Sequence, residues 1–358
     1  MNKYLGFRRP QRLDEMARTF NAYGSPLVDP TPMPLDNILE LVDESSQDEG
    51  GQGSFFLLKG SKGRFGVKIF DPRKTTPEAR QLHAKHVSHA LLQLSTTPPA
   101  SITAFLLFNY LNIPQQYVIA PDGGLAGLLV PTVPDSCYIQ NVAMGMKSYR
   151  CGVRLGDVVS TRSAIPQRSG RTGDPLPDCA KWSILDSLCQ TIASLHHIGL
   201  IHADISSNNV YVRWPESSDP KAYTIDAFNG FSALSNNEHL GHMRSDVFCP
   251  TSLYRQQYTP ATDTYCLAWW ISHIAVVANP IASELPVPGY DDIKLRSDTL
   301  YIRHRYVSEG LNNARSSLPR TLYDMLTSAI SEDPYGRPSA RELCYLVHDH
   351  WMNFGDER

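Results

Sequence analysis

The segment L-H-H-I-G-L-I-H-A-D-I-S-S-N-N-V-Y-V, residues 195–212, constrains this chain more than any other stretch. It begins at the end of an amphipathic helical pattern (Trp182–His196) and finishes in an apolar β run, with His202, Asp204 and Asn209 between them. Asn209 stands five residues after Asp204. A phosphoryl-transfer site needs an Asp to accept or orient the attacking hydroxyl and a side-chain oxygen to hold a metal on the phosphates. A short loop presenting Asp and Asn together supplies both. The same spacing also suits a loop Asp that merely caps a turn, so the rest of the chain has to decide.

Seventeen residues after Asn209, Asp226 closes the strand pattern Y-T-I-D-A-F-N-G-F. An Asp at that edge, facing Asn209 across a hairpin with W-P-E-S-S-D-P as its turn, is expected to be the second metal ligand. Upstream, E-G-G-Q-G-S-F places Gly50, Gly51 and Gly53 where backbone can approach phosphates closely. Lys68 in G-V-K-I-F follows on the next strand pair. A strand Lys between Val67 and Ile69 must direct its ammonium to something polar, and the α/β-phosphates of ATP are the expected partner. The glycines and Lys68 carry little alone. The ordered set of glycine loop, Lys68, Asp204, Asn209 and Asp226 specifies a nucleotide-phosphate site.

The rest of the chain gives these residues a two-part, α+β setting. Residues 1–45, rich in Pro and polar groups, read as a leader packed loosely on the domain, with a possible short helix around Leu39–Val42. From residue 46 to about 134 the pattern is strand-rich: a hairpin with a further strand, a helix over 77–94 entered through Pro77, and β runs at Tyr117–Ile119 and Leu125–Val130. From 135 to 358 it is helix-rich, with helices expected at Trp182–His196, 262–279, 319–331 and 339–350. The Ser/Gly/Pro/Arg-rich stretch 160–178 reads as a mobile surface insertion, passive or used for docking or autophosphorylation.

Composition narrows the partners. A net charge of −3 supplies no global field toward nucleic acid or an anionic membrane. Seven cysteines without a C-x-x-C pair favour reduced thiols and a cytoplasmic setting. The first ten residues lack an apolar signal core, and the most apolar run, Leu267–Ala282, is broken by His273, Asn279 and Pro280, as in a buried helix. His83, His86 and His89 recur every three residues on the 77–94 helix, and without accompanying Cys or carboxylate they read as a solvated or lobe-facing surface rather than a metal face. His196 and His197 suit the C-terminal end of their helix.

On these motifs the chain resembles the eukaryotic-type protein kinase family over roughly residues 45–350. D-T-Y-C-L-A-W-W from Asp263 looks like the start of that family's buried central helix, and S-E-D-P-Y-G-R-P-S-A-R-E looks like its late-helix motif, with Arg337 as the structural arginine. K-T-T-P-E-A-R, P-D-G-G-L-A-G-L-L-V-P-T-V and I-D-A-F-N-G-F look similar to bacterial kinase domains found with helix-hairpin-helix modules or with phosphatase and von Willebrand-type partners; no appended module is expected before residue 358. The resemblance implies a bilobal fold, with an antiparallel N-lobe sheet plus one helix and a mainly helical C-lobe. It implies ATP with magnesium or manganese, and a protein substrate phosphorylated on Ser or Thr. Adenine would be met near Val130–Val133, with Val130 and Thr132 as contacts, and Glu78 would be the ion-pair partner of Lys68.

The sequence also departs from that family. Asp48 replaces the first loop glycine, Ala203 the Arg before the catalytic Asp, and Ser206 the γ-phosphate Lys. Ala227 and Phe228 replace the usual pair after the metal-binding Asp, and Cys249–Thr251 stands where A-P-E is expected, which puts a carboxylate partner for Arg337 in doubt. Without Arg at 203, activity should not require phosphorylation of the 226–252 segment. These departures keep open a nucleotide-binding pseudokinase scaffold, or a small-molecule or lipid kinase.

Overall fold

The computed structural model describes residues 28–50, 53–61, 64–98, 101–144, 147–155, 178–206, 209–213, 220–227, 259–276, 307–331 and 333–354. Gly51, Phe228, Cys249–Thr251 and the stretch 160–177 lie outside them. The chain is α+β and divides into two compact units, one of residues 1–133, 194–202 and 226–244, the other of 134–193, 203–225 and 245–358.

The first unit is built on one sheet in the order β1-β5-β6-β4-β3-β2. Its strands are β1 (Met33–Pro34), β2 (Val42–Gly50), β3 (Gly53–Leu58), β4 (Phe65–Phe70), β5 (Gln116–Ile119) and β6 (Leu125–Pro131). All neighbours are antiparallel except β1, which runs parallel to β5 with Met33 opposite Val118. The sheet is therefore mixed, where the sequence implied an antiparallel one. Helix α1 (Leu35–Leu39) follows β1 directly. Ile38 and Val42 are buried with Val67, Val118 and Ala126. Burying these apolar side chains, at roughly 1.5–3 kcal/mol each, fixes residues 33–42 to one face of the sheet. The short helix lies at 35–39, and Val42 already belongs to a strand.

The opposite face is covered by α2 (Pro77–Thr96) and α3 (Ile102–Tyr110), through Ala84, Val87, Leu91, Leu94, Leu107, Leu111 and Leu128. Thr76 caps α2 by accepting from the Ala79 N–H at 3.3 Å, with Pro77 in the first turn. Arg80 then ties the helix to the β5–β6 turn through Asp122 at 2.6 Å. His83 and His86 flank the apolar stripe and are buried, not solvated. Burial drives the His83 imidazole down to about 4, and its Nε2 has no hydrogen-bond partner.

Strand β4 alternates: Val67 belongs to the α1 side, while Phe70 belongs to the α2 side, so Lys68 shares the α2 side with it. Glycines line β4 on both flanks. A Cβ on Gly53 would meet the Ile69 carbonyl oxygen, and one on Gly127 the Lys68 carbonyl oxygen. At these two positions only hydrogen fits, so Gly53 has a packing role in the sheet. The edge strand β2 carries Asp43, Glu44 and Asp48, and the edge strand β1 ends in Pro34.

The second unit is mainly helical. Helices α4 (Asp178–His197, of which residues to Ala193 fall here), α5 (Pro260–Val276), α6 (Arg320–Ala329) and α7 (Ala340–Phe354) supply most of a core that includes Leu188, Ile192, Leu267, Ile271, Leu326 and Leu343. His196 and His197 lie in the last turn of α4. Two hairpins complete it: β7 (Tyr138–Met144) with β8 (Lys147–Gly152), and β9 (Val210–Arg213) with β10 (Lys221–Thr224). Helix α3 and the β7–β8 hairpin were not expected from the sequence. Arg337 is held by the Ser331 carbonyl at 2.7 and 2.9 Å and the Ala261 carbonyl at 3.1 Å, and stacks 5.0 Å from the Tyr265 ring centroid.

Candidate functional site

In the first unit, Lys68 reaches from β4 to a carboxylate. Its Nζ lies 2.8 Å from Asp226 Oδ2, the two side chains being 18% and 32% exposed. The stem passes the Phe70 ring, with Nζ 5.7 Å from its centroid. Asp226 has φ +57°, a left-handed conformation that costs a non-glycine residue on the order of 1 kcal/mol. Ala227, next to it, is buried against the α2 core, where the small side chain fits.

Glu78 does not fill the role given to it. It is exposed in the first turn of α2 and is the only acidic residue of that helix, whose inward face carries His83, His86 and apolar groups. The ion-pair partner of Lys68 is Asp226. Gly50 and Gly53 are opposite one another where β2 turns into β3, around the undescribed Gly51 and Gln52. Asp48 is opposite Phe55 in the same hairpin. Val130 pairs with Gly66 across β6 and β4, and the Thr132 N–H donates to the Arg64 carbonyl at 2.9 Å.

In the second unit, the described residues of this loop, Ala203 to Ser206 and Asn209, are buried. Asp204 is 8% exposed and Asn209 7%. Asn209 Nδ2 donates to Asp204 Oδ2 at 2.7 Å and to the Asp204 carbonyl at 3.1 Å. With its amide nitrogen spent inward, the Asn209 Oδ1 is the atom left to meet a cation. The Ser206 N–H donates to the Asp204 carbonyl at 3.0 Å and the Asn209 N–H to the Ser206 carbonyl at 3.1 Å, making a compact turn. Ile225 N–H donates to the Asn209 carbonyl at 2.8 Å, so the β9–β10 hairpin brings residue 225 opposite 209.

Ala203 has φ +65° and its N–H donates to Asp263 Oδ1 at 2.8 Å. Asp263 is fully buried in the first turn of α5. The sequence marked Asp263 as the start of a motif without giving it a task. Its signal was an acid at the mouth of an otherwise apolar helix. Ser206, standing where a cation was expected, is buried, and its Oγ has no hydrogen-bond partner.

An Asp carboxylate and an Asn oxygen are hard donors suited to magnesium, which keeps water and phosphate oxygens for most of its shell. Among the described residues no group of three or more His, Cys, Asp or Glu is placed to hold a metal. No helix among them is long and apolar enough to cross a membrane.

No family model matches the chain. Over 166 residues it is 26% identical to Wee1-like protein kinase 2 of Danio rerio, a stretch that covers 42% of this chain and 28% of that protein. In sequence over that stretch, and in its strand-rich and helix-rich parts, the chain is protein-kinase-like.

Proposed function

We propose that this chain is an ATP- and magnesium-dependent protein kinase acting on Ser or Thr hydroxyls. The observation that carries the reading is the Lys68–Asp226 pair. Two residues far apart in sequence, one chosen to hold phosphate and the other to hold metal, meet at 2.8 Å. The likeness to a protein kinase supports it.

In this reading Lys68 holds the α/β-phosphates, Asp226 and Asn209 hold magnesium or manganese, and the Gly50–Gly53 turn covers the phosphates. Val130 and Thr132 flank the adenine. When bound, the metal neutralises charge developing on the phosphate oxygens. Asp204, fixed by Asn209, orients the acceptor hydroxyl. The hydroxyl oxygen forms the new bond to the γ-phosphorus, the bond to the β,γ-bridging oxygen breaks with its electron pair leaving on ADP, and Asp204 takes the hydroxyl proton.

A second reading, a nucleotide-binding scaffold without transfer, draws on Ser206. Its buried hydroxyl supplies no cation to the transferring group. Incubation with γ-labelled ATP and magnesium or manganese, with and without a generic basic protein, separates the two. Label on the chain or on the acceptor is expected. Stabilisation by ATP in a thermal melt without any transfer would leave the scaffold, and no stabilisation at millimolar metal would sink both.

A further inference from the structure

The Asp204 loop is held by α5 at two points, and only one of them is an acid. Trp270, 2% exposed, donates its indole Nε1–H to the Ile205 carbonyl at 3.1 Å. Asp263, seven residues earlier on the same helix, accepts from the Ala203 N–H at 2.8 Å. Seven residues are two helical turns, so both side chains leave one face of α5, about 10 Å apart along its axis. Their targets are the residues on either side of Asp204. The Ile205 side chain is itself part of the core that contains Trp270, and the Trp270 ring is braced edge-on by Trp269 at 5.0 Å between centroids.

We infer that Trp270 is a positioning residue for Asp204. The peptide between Ile205 and Ser206 is buried, so its carbonyl needs a donor. With the indole in place, that peptide plane and the 202–203 plane are both pinned to a rigid helix, and the stretch between them, which carries Asp204, is held at both ends. Without it, the 205–206 peptide keeps only the Ser206 N–H bond to the Asp204 carbonyl, which lies within the loop itself, while Asp263 still holds residue 203. The carboxylate then swings relative to the acceptor hydroxyl, and misplacement of about 1 Å costs on the order of a hundredfold in rate. The groups assigned to the nucleotide's phosphates, Lys68 and Asp226, belong to the first unit, whereas Trp270 and the Asp204 loop belong to the second. The effect is therefore specific to the chemical step. This inference rests on the kinase reading.

Two variants remove the donor: Trp270→Phe, and replacement of Trp270 by benzothienylalanine, which keeps the bicyclic shape and exchanges N–H for sulfur. Trp182→Phe is the control for lost ring volume elsewhere in the same core. Transfer from γ-labelled ATP to a generic basic protein, with ATP affinity measured separately, is expected to show kcat lowered about 10- to 100-fold in both Trp270 variants. Their ATP dissociation constant should stay within about twofold, and Trp182→Phe should stay near wild type. If kcat is unchanged in a folded variant, or falls together with ATP affinity, the positioning role is overturned while the kinase reading stands. Should Trp270→Phe fail to fold, the isosteric variant decides alone. A wild-type protein that binds ATP but transfers nothing overturns the kinase reading, and this role with it.

Discussion

Lys68–Asp226 and Asp204–Asn209 are both short polar contacts, yet they are held in place by different means. The first is an ion pair between side chains 18% and 32% exposed, with Asp226 in a left-handed backbone conformation. Pairs open to solvent to that degree are worth only about 0.2–1 kcal/mol. The second sits in a buried turn with backbone bonds from Ser206, Asn209 and Ile225 and two bonds to α5. Leaving any one of those buried groups unpaired costs about 1–3 kcal/mol. In the proposed reading, a weak ion pair is exchanged when phosphate and metal arrive, the ammonium moving to one and the carboxylate to the other. A caged carboxylate cannot change partners, which is what an orienting base requires.

The largest effect that would break this contrast comes from Asp226→Ala. If the exchangeable carboxylate holds the metal, magnesium-dependent ATP binding should weaken and transfer should vanish together, in titration calorimetry and in the labelling assay. Retention of full magnesium-ATP affinity would remove Asp226 from the metal site.

Asp204→Asn should be smaller and should separate the two measurements. Transfer is expected to fall about 10²–10⁴-fold, the range for a positioned base, with ATP affinity nearly intact. A near-silent result would mean that Asp204 only braces its turn.

The smallest effect tests a caged pair that has no assigned chemistry. His348 Nδ1 lies 3.1 Å from Asp186 Oδ1, Asp186 being 2% exposed, and that hydrogen bond raises the imidazole above its usual range against the pull of burial. A raised folded-state value means the ion pair stabilises fully below the unfolded value of about 6.5 and loses its contribution as pH climbs through the folded one. The thermal midpoint should therefore drift down by a few degrees as pH rises from about 6 to about 8.5. His348→Gln should flatten that slope. An equal slope in the variant would put the drift elsewhere.

How much of this was legible in the sequence depends on the range of the interaction. Asp204 and Asn209 are five residues apart and their turn is local, so spacing alone brought them together. Helices α2, α4, α5, α6 and α7 were visible because each repeats its apolar positions over several turns. The partner of Lys68 was not legible. Glu78 was the only acid on the following helix, but which carboxylate meets a strand Lys is settled by tertiary packing, and Asp226 lies 158 positions later (226 − 68). For His83 and His86 the sequence left a solvated and a lobe-facing reading open, because residues at the margin of an apolar stripe are buried or solvated according to what packs beside the helix; the structure removes the solvated one. Residues 33–42 misled because a two-residue strand and a single helical turn carry too little periodicity to register. Trp270 could not be distinguished from other core aromatics, since a carbonyl waiting for a donor leaves no trace in sequence.

The two edges of the first unit's sheet have a consequence for solubility. An open strand edge is a template on which another chain can add itself. Among the described residues, one edge is two residues long and ends in Pro34, which has no N–H to offer, and the other carries Asp43, Glu44 and Asp48. A second copy approaching β2 would bring the same negative charges against these, so edge-to-edge growth of the sheet is opposed from both ends.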